Sequence, residues 1–248
     1  MQGKRVLVTG SSRGIGRAIA LRLREAGASV AVHGARGKSA DFSTIIKELG
    51  NQAAGAYAAD LSDPKASEKL FQEVIDDGPL HAVVNNAGIY MPMDFLRSTS
   101  TQFDATFYRT FAVNFESPLR LCRAAAIYFA ERDGGKIVNV CSRVGFKGEA
   151  GAALYAASKA ALINLTRSLA MELASKNVRL FGIAPGWVDT AMAREGMNDR
   201  LDQILRDIPA GRMASPKDCA AVVNFLLSDE AEYLSGNVID INGASYFH

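Results

Sequence analysis

Cysteine is scarce in this chain. Cys122, Cys141 and Cys219 are scattered, odd in number and without paired spacing, which argues against a disulfide framework or a zinc cluster. They read as reduced, small apolar residues, and no metal site is expected. Long hydrophobic runs are missing too: none reaches the roughly 20 residues that span a bilayer. Nor does one sign of charge dominate. The 28 Lys and Arg against 26 Asp and Glu leave a net +2, too weak a field to point to nucleic acid or an anionic membrane. Internal repeats, low-complexity segments and Pro/Ser-rich linkers are also lacking. Met1 leads almost directly into a strand-like run, with no room for the charged region and apolar core of a secretory signal, so a soluble cytoplasmic protein is the expectation.

What is present is a globular composition, 48% hydrophobic and 22% charged over 248 residues, of a length that α/β chains often fold as a single domain, here 1–248. Strand-like runs (Val6 to Val8, Ser29-Val30-Ala31-Val32, 53–58, His81-Ala82-Val83-Val84, 136–140, 178–183, 238–241) alternate with helical patterns at 17–26, 63–75, 101–132, 153–175 and 216–227. That alternation predicts βαβ crossovers and a doubly wound, mostly parallel sheet of about seven strands with helices on both faces. Runs such as Ala82-Val83-Val84 lack a polar alternate, as strands buried on both sides do. Ser215 before Pro216 reads as an N-cap with proline in the first turn. Residues 189–212, rich in Met, Arg and Asp, interrupt the alternation and read as a lid.

The chain is organised around its first turn. Between the strand at Val6 to Val8 and a helix carrying Ile19, Leu23 and Ala26 on one face lie Gly10, Ser11, Ser12, Arg13, Gly14, Ile15 and Gly16. Glycines at 10, 14 and 16 let the backbone bend sharply, let a pyrophosphate approach without a Cβ in the way, and let helix pack on strand. The helix N-terminus then offers free amides to the anion. The spacing Gly-x-x-x-Gly-x-Gly differs from the commoner Gly-x-Gly-x-x-Gly, so the turn alone is a moderate signal, and a tight βα turn that binds nothing is the alternative.

A second constellation follows. Tyr155 and Lys159 stand at i,i+4 on one face of a helical pattern. A phenol with reference pKa near ~10 exchanges protons poorly at neutral pH, and a neighbouring ammonium favours its phenolate. Ser142 follows the strand at 136–140, placing it at a carboxyl end of the sheet, where such folds keep their ligand crevice. Taken alone, a Tyr-x-x-x-Lys pair is more often a solvated helix pair.

In combination these residues resemble the short-chain dehydrogenase/reductase family from about Lys4 to Gly243. The matching residues are Thr9-Gly10-x-x-x-Gly14-x-Gly16, Asp60-Leu61, Asn85-Asn86-Ala87-Gly88, Asn114, Ser142, Tyr155-x-x-x-Lys159, Pro185-Gly186-x-x-x-Thr190 and Asn242-Gly243. The resemblance implies a Rossmann-type single domain that moves a hydride between a nicotinamide and an alcohol or ketone. It further implies Tyr155 as general acid/base, Ser142 as the group that positions and polarises the substrate oxygen, and Lys159 as the residue that binds the nicotinamide ribose and lowers the Tyr155 pKa. Asn114 would hold a water that extends a proton relay. Asp60 and Leu61 would meet the adenine edge, Asn86, Ala87 and Gly88 the adenine ribose side, and Pro185, Gly186, Val188 and Thr190 the nicotinamide carboxamide. Asn85 ties adjacent strands.

An NAD-specific site commonly places Asp or Glu at the end of the second strand, to accept from the ribose 2′-OH. Here Val30-Ala31-Val32 leads into His33-Gly34-Ala35-Arg36 without an acid. Arg13 and Arg36, with Lys38 near, would pair with a 2′-phosphate, so NADP(H) is expected, with NAD(H) use left open; ordinary surface cations are the alternative. His33 reads as a strand-end histidine near the adenosine. Cys141 and Arg143 depart from the family's commonest wording around Ser142. Arg143, Lys147 and Glu149 read either as charges facing a polar substrate or as solvated loop charges. The specificity region is expected at 90–97, 144–149, Trp187 and 191–212, with Met91, Met93, Met192 and Met197 as a soft lining.

Length and tail most resemble 3-oxoacyl-[acyl-carrier-protein] reductases, which makes an acyl carrier protein thioester the leading substrate. Sugar, polyol, steroid or cyclic-ketone reduction are the alternatives, as are a lyase or epimerase and a non-catalytic nucleotide-sensing protein. Leu162, Leu165, Leu169, Met171 and Leu173 on the 153–174 helix suggest more apolar surface than one sheet contact requires. A homotetramer or homodimer is therefore expected.

Overall fold

The computed structural model describes residues 1–35, 42–197 and 200–248. Its strands are β1 Arg5–Val8, β2 Ser29–Gly34, β3 Ala53–Ala58, β4 Ala82–Asn85, β5 Gly135–Val140, β6 Val178–Pro185 and β7 Val238–Ile241. All neighbours pair in parallel, in the order β3-β2-β1-β4-β5-β6-β7. Parallel neighbours need crossovers, and these are α1 Gly14–Glu25, α2 Ser43–Leu49, α3 Pro64–Asp76, α4 Ser100–Phe111, α5 Ser117–Ala130, α6 Ala153–Leu173 and α9 Pro216–Leu226, with two short helices, α7 Ala191–Met197 and α8 Leu201–Arg206, between β6 and α9. The strand order reverses between β1 and β4, which opens a crevice above the carboxyl ends of those strands.

Each strand-like run of the sequence is a strand. Alternate side chains serve opposite faces: Val6, Val8, Val30, Val32 and Val84 pack with Ile19 and Leu23 of α1 and Val223 and Leu226 of α9. Leu7, Ala31, Val83, Ile137 and Leu180 pack with Leu70 and Val74 of α3 and Leu121 and Phe129 of α5. Helix α2 has no counterpart in the sequence reading, and two further helices depart from it at their boundaries. Helix α1 begins at Gly14, three residues before the apolar pattern, so that Gly14 and Gly16 of the turn lie within its first turn. The single helix expected over 101–132 is α4 and α5 joined by a π turn, Ala112–Glu116. Pro118 stands in the first turn of α5; having no N–H, it cannot donate to the carbonyl of Asn114 four residues back.

The apolar residues of α6 are spent mostly on its own sheet. Leu162 is buried, Leu165 packs beside it, Leu169 and Leu173 lean on the second core, and Met171 alone of the five is well exposed. In the 189–212 excursion, Met197, Ile204 and Ile208 form a small core with Trp187 and Met213. Met197 therefore packs inside the excursion and is not part of a substrate lining.

At the amino end of the sheet, away from the crevice, the Arg5 guanidinium is buried. It donates to Val74 O (2.6 Å), Gly78 O (2.8 Å), Ala54 O (3.0 Å) and the Tyr57 hydroxyl (2.9 Å), and Tyr57 in turn donates to Asp77 (2.6 Å). One side chain thus ties β1 to β3 and to the end of α3. Replacing Arg5 with Met leaves these acceptors buried without a donor and is expected to lower unfolding free energy by about 3 kcal/mol, at unchanged activity per folded molecule. Urea unfolding followed by circular dichroism measures it.

Candidate active site

The turn after β1 is held open for an anion. Gly10 and Gly14 have φ of 63° and 57°, values that suit a residue without a Cβ. Arg13, the N-cap of α1, has extended backbone and gives no side-chain cap, and the first turn carries no acid. The positive end of the helix and its first amides, around Ser12, Gly14 and Ile15, are therefore not neutralised by the protein itself. A Cβ on Gly10 would lie 2.9 Å from Ala87 Cα, and one on Gly16 would collide with Gly10 O and the Asn86 amide. The turn can therefore close onto the run after β4 only with glycine at both positions.

That run is tied down by Thr9 and Asn86. Thr9 Oγ1 accepts from the amides of Asn86 (2.9 Å) and Ala87 (3.0 Å), and Asn86 Nδ2 donates to Thr9 O (2.8 Å) and Gly10 O (3.1 Å). Asn85 donates to Asn139 on β5 (2.8 Å), the strand-tying role read from the sequence. Beyond Ala87 the chain reaches Gly88, where a Cβ would stand 3.3 Å from Asn114 Oδ1 and 3.6 Å from Lys159 Nζ.

His33 anchors the same turn from the other side, a role that sequence reading missed. Gly10 N donates to His33 Nδ1 (3.1 Å) and the ring's Nε2 lies 3.1 Å from Ala59 O, so the neutral ring carries its proton on Nε2 and donates it to Ala59. Its backbone exchanges bonds with Ser11: Ser11 N donates to His33 O (2.9 Å), and His33 N donates to Ser11 Oγ (3.0 Å). Burial lowers the His33 pKa to about 4. The signal available in the sequence was a histidine at the end of β2, one strand away from a glycine turn.

Asn114, Ser142, Tyr155 and Lys159 meet at the carboxyl end of β4 and β5. Asn114, in the π turn, accepts from Ile89 N (2.9 Å) and donates to Ile89 O (2.9 Å) and Ser158 Oγ (3.3 Å), so it fixes the run that follows Gly88. Ser142 caps the short helical turn Arg143–Gly145. Tyr155 stands at the start of α6, edge-on to Tyr90 with ring centres 5.2 Å apart. Lys159, one turn on, is buried, donates to Val140 O (2.8 Å), and places its Nζ 5.8 Å from the centre of the Tyr155 ring.

Electrostatics here depart from the simple reading of a lysine that acidifies a phenol. Burial pushes the Tyr155 phenol up to about 12, while a hydrogen bond with Ser142 pulls the other way. Burial also brings Lys159 down to about 8. Desolvation opposes both charged forms, and for Tyr155 it outweighs the pull of the Ser142 hydrogen bond.

The remaining expected positions fall around this crevice. Val188 is buried and bridges to Ala214, Gly186 packs against Asn242, and Thr190 brings its Cγ2 to 3.6 Å from where a Gly14 Cβ would be, so the run from Pro185 to Thr190 arches toward the phosphate turn. Asp60 is exposed and accepts from Ser62 N (2.9 Å) and Ser62 Oγ (2.7 Å), Leu61 is buried, and Asp63, not Asp60, caps α3. Arg13 is exposed beside the turn. Arg36 and Lys38 lie outside the described residues. Arg143 is buried and pairs with Glu149 at 2.7 Å, so neither is a solvated loop charge. Among the described residues no three His, Cys, Asp or Glu side chains gather as a metal site, and no helix is long and apolar enough to cross a membrane. The cysteines are free and buried, their thiols pushed up to about 12 chiefly by burial.

A glycine cradle, an uncapped helix end and a buried lysine beside a tyrosine fit a dinucleotide, and together they define a dinucleotide-binding α/β protein with an acid/base group next to its crevice. Comparison with known proteins narrows the class. The family described as enoyl-(acyl carrier protein) reductase matches residues 10–244. A 3-oxoacyl-[acyl-carrier-protein] reductase, FabG, of Vibrio cholerae is 36% identical over 99% of this chain and 98% of its own length. A structure from Beutenbergia cavernae, described as an NAD(P)-dependent gluconate 5-dehydrogenase candidate with bound NADP, superposes with a TM-score of 0.90 at 33% identity over 99% of this chain and 97% of that one. A blue fluorescent protein from a metagenomic library, in complex with NADPH, gives 0.90 at 31% identity over 99% of both chains. The chain belongs to the short-chain dehydrogenase/reductase family and is an oxidoreductase.

The His33 tether has a pH consequence. With a folded value near 4 against 6.5 for the free side chain, the unfolded chain takes up the proton first. The contribution of the neutral ring is complete above about pH 6.5 and is lost as pH falls toward 4. Between pH 7 and pH 4 the wild type is expected to lose about 3 kcal/mol more stability than His33→Gln, which does not titrate there. Urea unfolding of both proteins at the two pH values measures the difference.

Proposed function

We propose that the chain is an NADP(H)-dependent reductase of ketones and dehydrogenase of the matching secondary alcohols, with Tyr155 as general acid/base. The observation that carries this reading is that Asn114 and Lys159 stand against Gly88, the far end of the run that closes the phosphate turn, while Tyr155 lies beside Lys159 and is hydrogen-bonded to Ser142. The nicotinamide, when bound, supplies the hydride. The protein's own task is the oxygen. Tyr155 keeps its proton at neutral pH, so it enters reduction as an acid aimed at the carbonyl oxygen. Ser142 orients that hydroxyl and shares the substrate oxygen. Lys159, positively charged below about pH 8, supports the phenolate left behind. Asn114 holds the wall of the crevice and the water of a proton relay that runs on from Lys159.

Gly10, Ser12, Gly14, Ile15 and Gly16 bind the pyrophosphate, Asp60 and Leu61 the adenine edge, Asn86, Ala87 and Gly88 the ribose, and Pro185, Gly186, Val188 and Thr190 the carboxamide. Arg13 and Arg36 take the 2′-phosphate. The NADP and NADPH complexes of similar structures support the choice of cofactor. Residues 1–248 act as one catalytic domain, with 189–212 as its lid. A 3-oxoacyl thioester, carried by an acyl carrier protein, is the leading substrate on the likeness to FabG. The Arg143 and Glu149 pair between Ser142 and Tyr155 favours a second reading, a hydroxylated sugar or polyol ketone. Three buried free thiols suit a reducing cytoplasm.

Self-association as a dimer or tetramer is carried by α4, where Tyr108 is 68% exposed beside a row of rings formed by Phe95, Phe103, Phe107 and Phe111. Light scattering is expected to give a multiple of 26.5 kDa, and Tyr108→Glu to shift the mass toward one chain; a wild-type monomer overturns this assignment.

The central test pairs acetoacetyl-coenzyme A, sugar ketones and cyclic ketones with NADPH and NADH. Tyr155→Phe is expected to lower kcat by about 10²- to 10⁴-fold while leaving NADPH affinity, read by nucleotide fluorescence, within about twofold. Unchanged turnover would assign the proton elsewhere. The ratio of kcat/KM for NADPH over NADH is expected to exceed about tenfold and to fall in Arg13→Ala, as loss of a charge-assisted phosphate contact requires.

A further inference from the structure

Residues 242–248, which follow β7, touch both the α7 and α8 excursion and the loop after β5. On one side, Ala210 N donates to Gly243 O (3.1 Å), at the end of the α7 and α8 excursion. On the other, the His248 ring stacks on Phe146, with centres 3.6 Å apart and planes 11° apart; Arg143 Nη1 donates to Ser245 Oγ (3.4 Å), and the Tyr246 hydroxyl donates to Phe146 O (3.5 Å). The two long bonds are weak singly. The stack is not, because each end of it is fixed. His248 Nδ1 pairs with Asp240 on β7 (3.0 Å), Asn242 Nδ2 donates to Tyr246 O (2.9 Å), and the segment turns at Ala244, whose φ is 64°.

What this segment holds is the loop that carries Ser142. Gly145 N donates to Ser142 O and Phe146 N to Arg143 O (both 3.0 Å), so a shift of Phe146 is transmitted to Ser142 through one helical turn. Phe146 also leans on the small core of Cys141, Leu162 and Ile163, with the Arg167 guanidinium 5.5 Å from its ring. Arg143, next to Ser142, is held between Glu149 and Ser245.

We infer that residues 242–248 are a strap that sets the position of the Ser142 loop and links it to the α7 and α8 excursion, with Ser245, Tyr246 and His248 as positioning residues for carbonyl turnover. This rests on the reading of Ser142 as the residue that orients the substrate oxygen. Among the described residues, Ser245, Tyr246 and His248 touch Arg143, Phe146 and Asp240 and none of the residues of the phosphate turn, so changes at these three are expected to act on turnover more than on dinucleotide affinity.

The test compares His248→Ala, His248→Phe and Ser245→Gly in the full chain. Three quantities are read: hydrogen exchange of the 143–149 peptide, NADPH affinity by fluorescence, and kcat and KM with acetoacetyl-coenzyme A. In His248→Ala, exchange over 143–149 is expected to rise about tenfold, NADPH affinity to stay within about twofold, and kcat/KM to fall about tenfold. His248→Phe, which keeps a ring on Phe146, recovers most of both, and Ser245→Gly shows a smaller change of the same kind. Unchanged exchange over 143–149 in His248→Ala and Ser245→Gly overturns the strap, as does a rise shared equally by core peptides. If the wild type reduces no carbonyl, the proposed activity fails, and the exchange result alone then decides for or against the strap.

Discussion

The closure of the turn after β1 onto the run after β4 is the contact on which the site depends. Those two strands are neighbours because the order of the sheet reverses between them, and their ends would stand apart if Gly10 or Gly16 carried a side chain. Thr9 and Asn86 convert the close approach into hydrogen bonds, His33 holds the turn from behind, and Gly88 extends the run to Lys159 and Asn114. Phosphate cradle and proton-handling groups are thus two ends of one braced stretch of backbone.

Burial around that stretch works on charge in one direction. It leaves Tyr155 protonated and brings Lys159 toward neutrality, which is the cost of placing a phenol and an amine where water is scarce. The protein meets it with oriented partners: the hydroxyl of Ser142 for Tyr155 and the carbonyl of Val140 for Lys159. An acid that keeps its proton until an oxygen arrives suits reduction, and a lysine whose charge is only modestly favoured responds readily to a negative group nearby.

Much of this was legible from residues alone. The strands could be read because parallel, doubly covered strands are nearly all apolar, and the cradle because glycine has few substitutes where φ is positive or a backbone must pass closely. Spacing alone left Tyr155 and Lys159 indistinguishable from a solvated helix pair, and only the order of motifs shared with the family singled them out with Ser142. Less was legible where three-dimensional context decides. The split of the 101–132 helix rests on Pro118 and a π turn, inside an otherwise continuous helical pattern. The leucines of α6 looked like surplus surface, yet two cores share them, and Arg143 stood open between a substrate-facing and a solvated charge because its pairing with Glu149 exists only in the fold. Met197 could not be told from a substrate-lining residue because its neighbours, Ile204 and Ile208, form a core of their own.

Arg13 differs in kind from the glycines beside it. They are locked by sterics, whereas Arg13 is exposed and lends its side chain to no helix cap. Under the proposed role of Arg13, choice of cofactor is separable from the architecture that binds one. If Arg13 and Arg36 take the 2′-phosphate as proposed, descendants of this chain can trade one nicotinamide currency for the other without repacking the folding core.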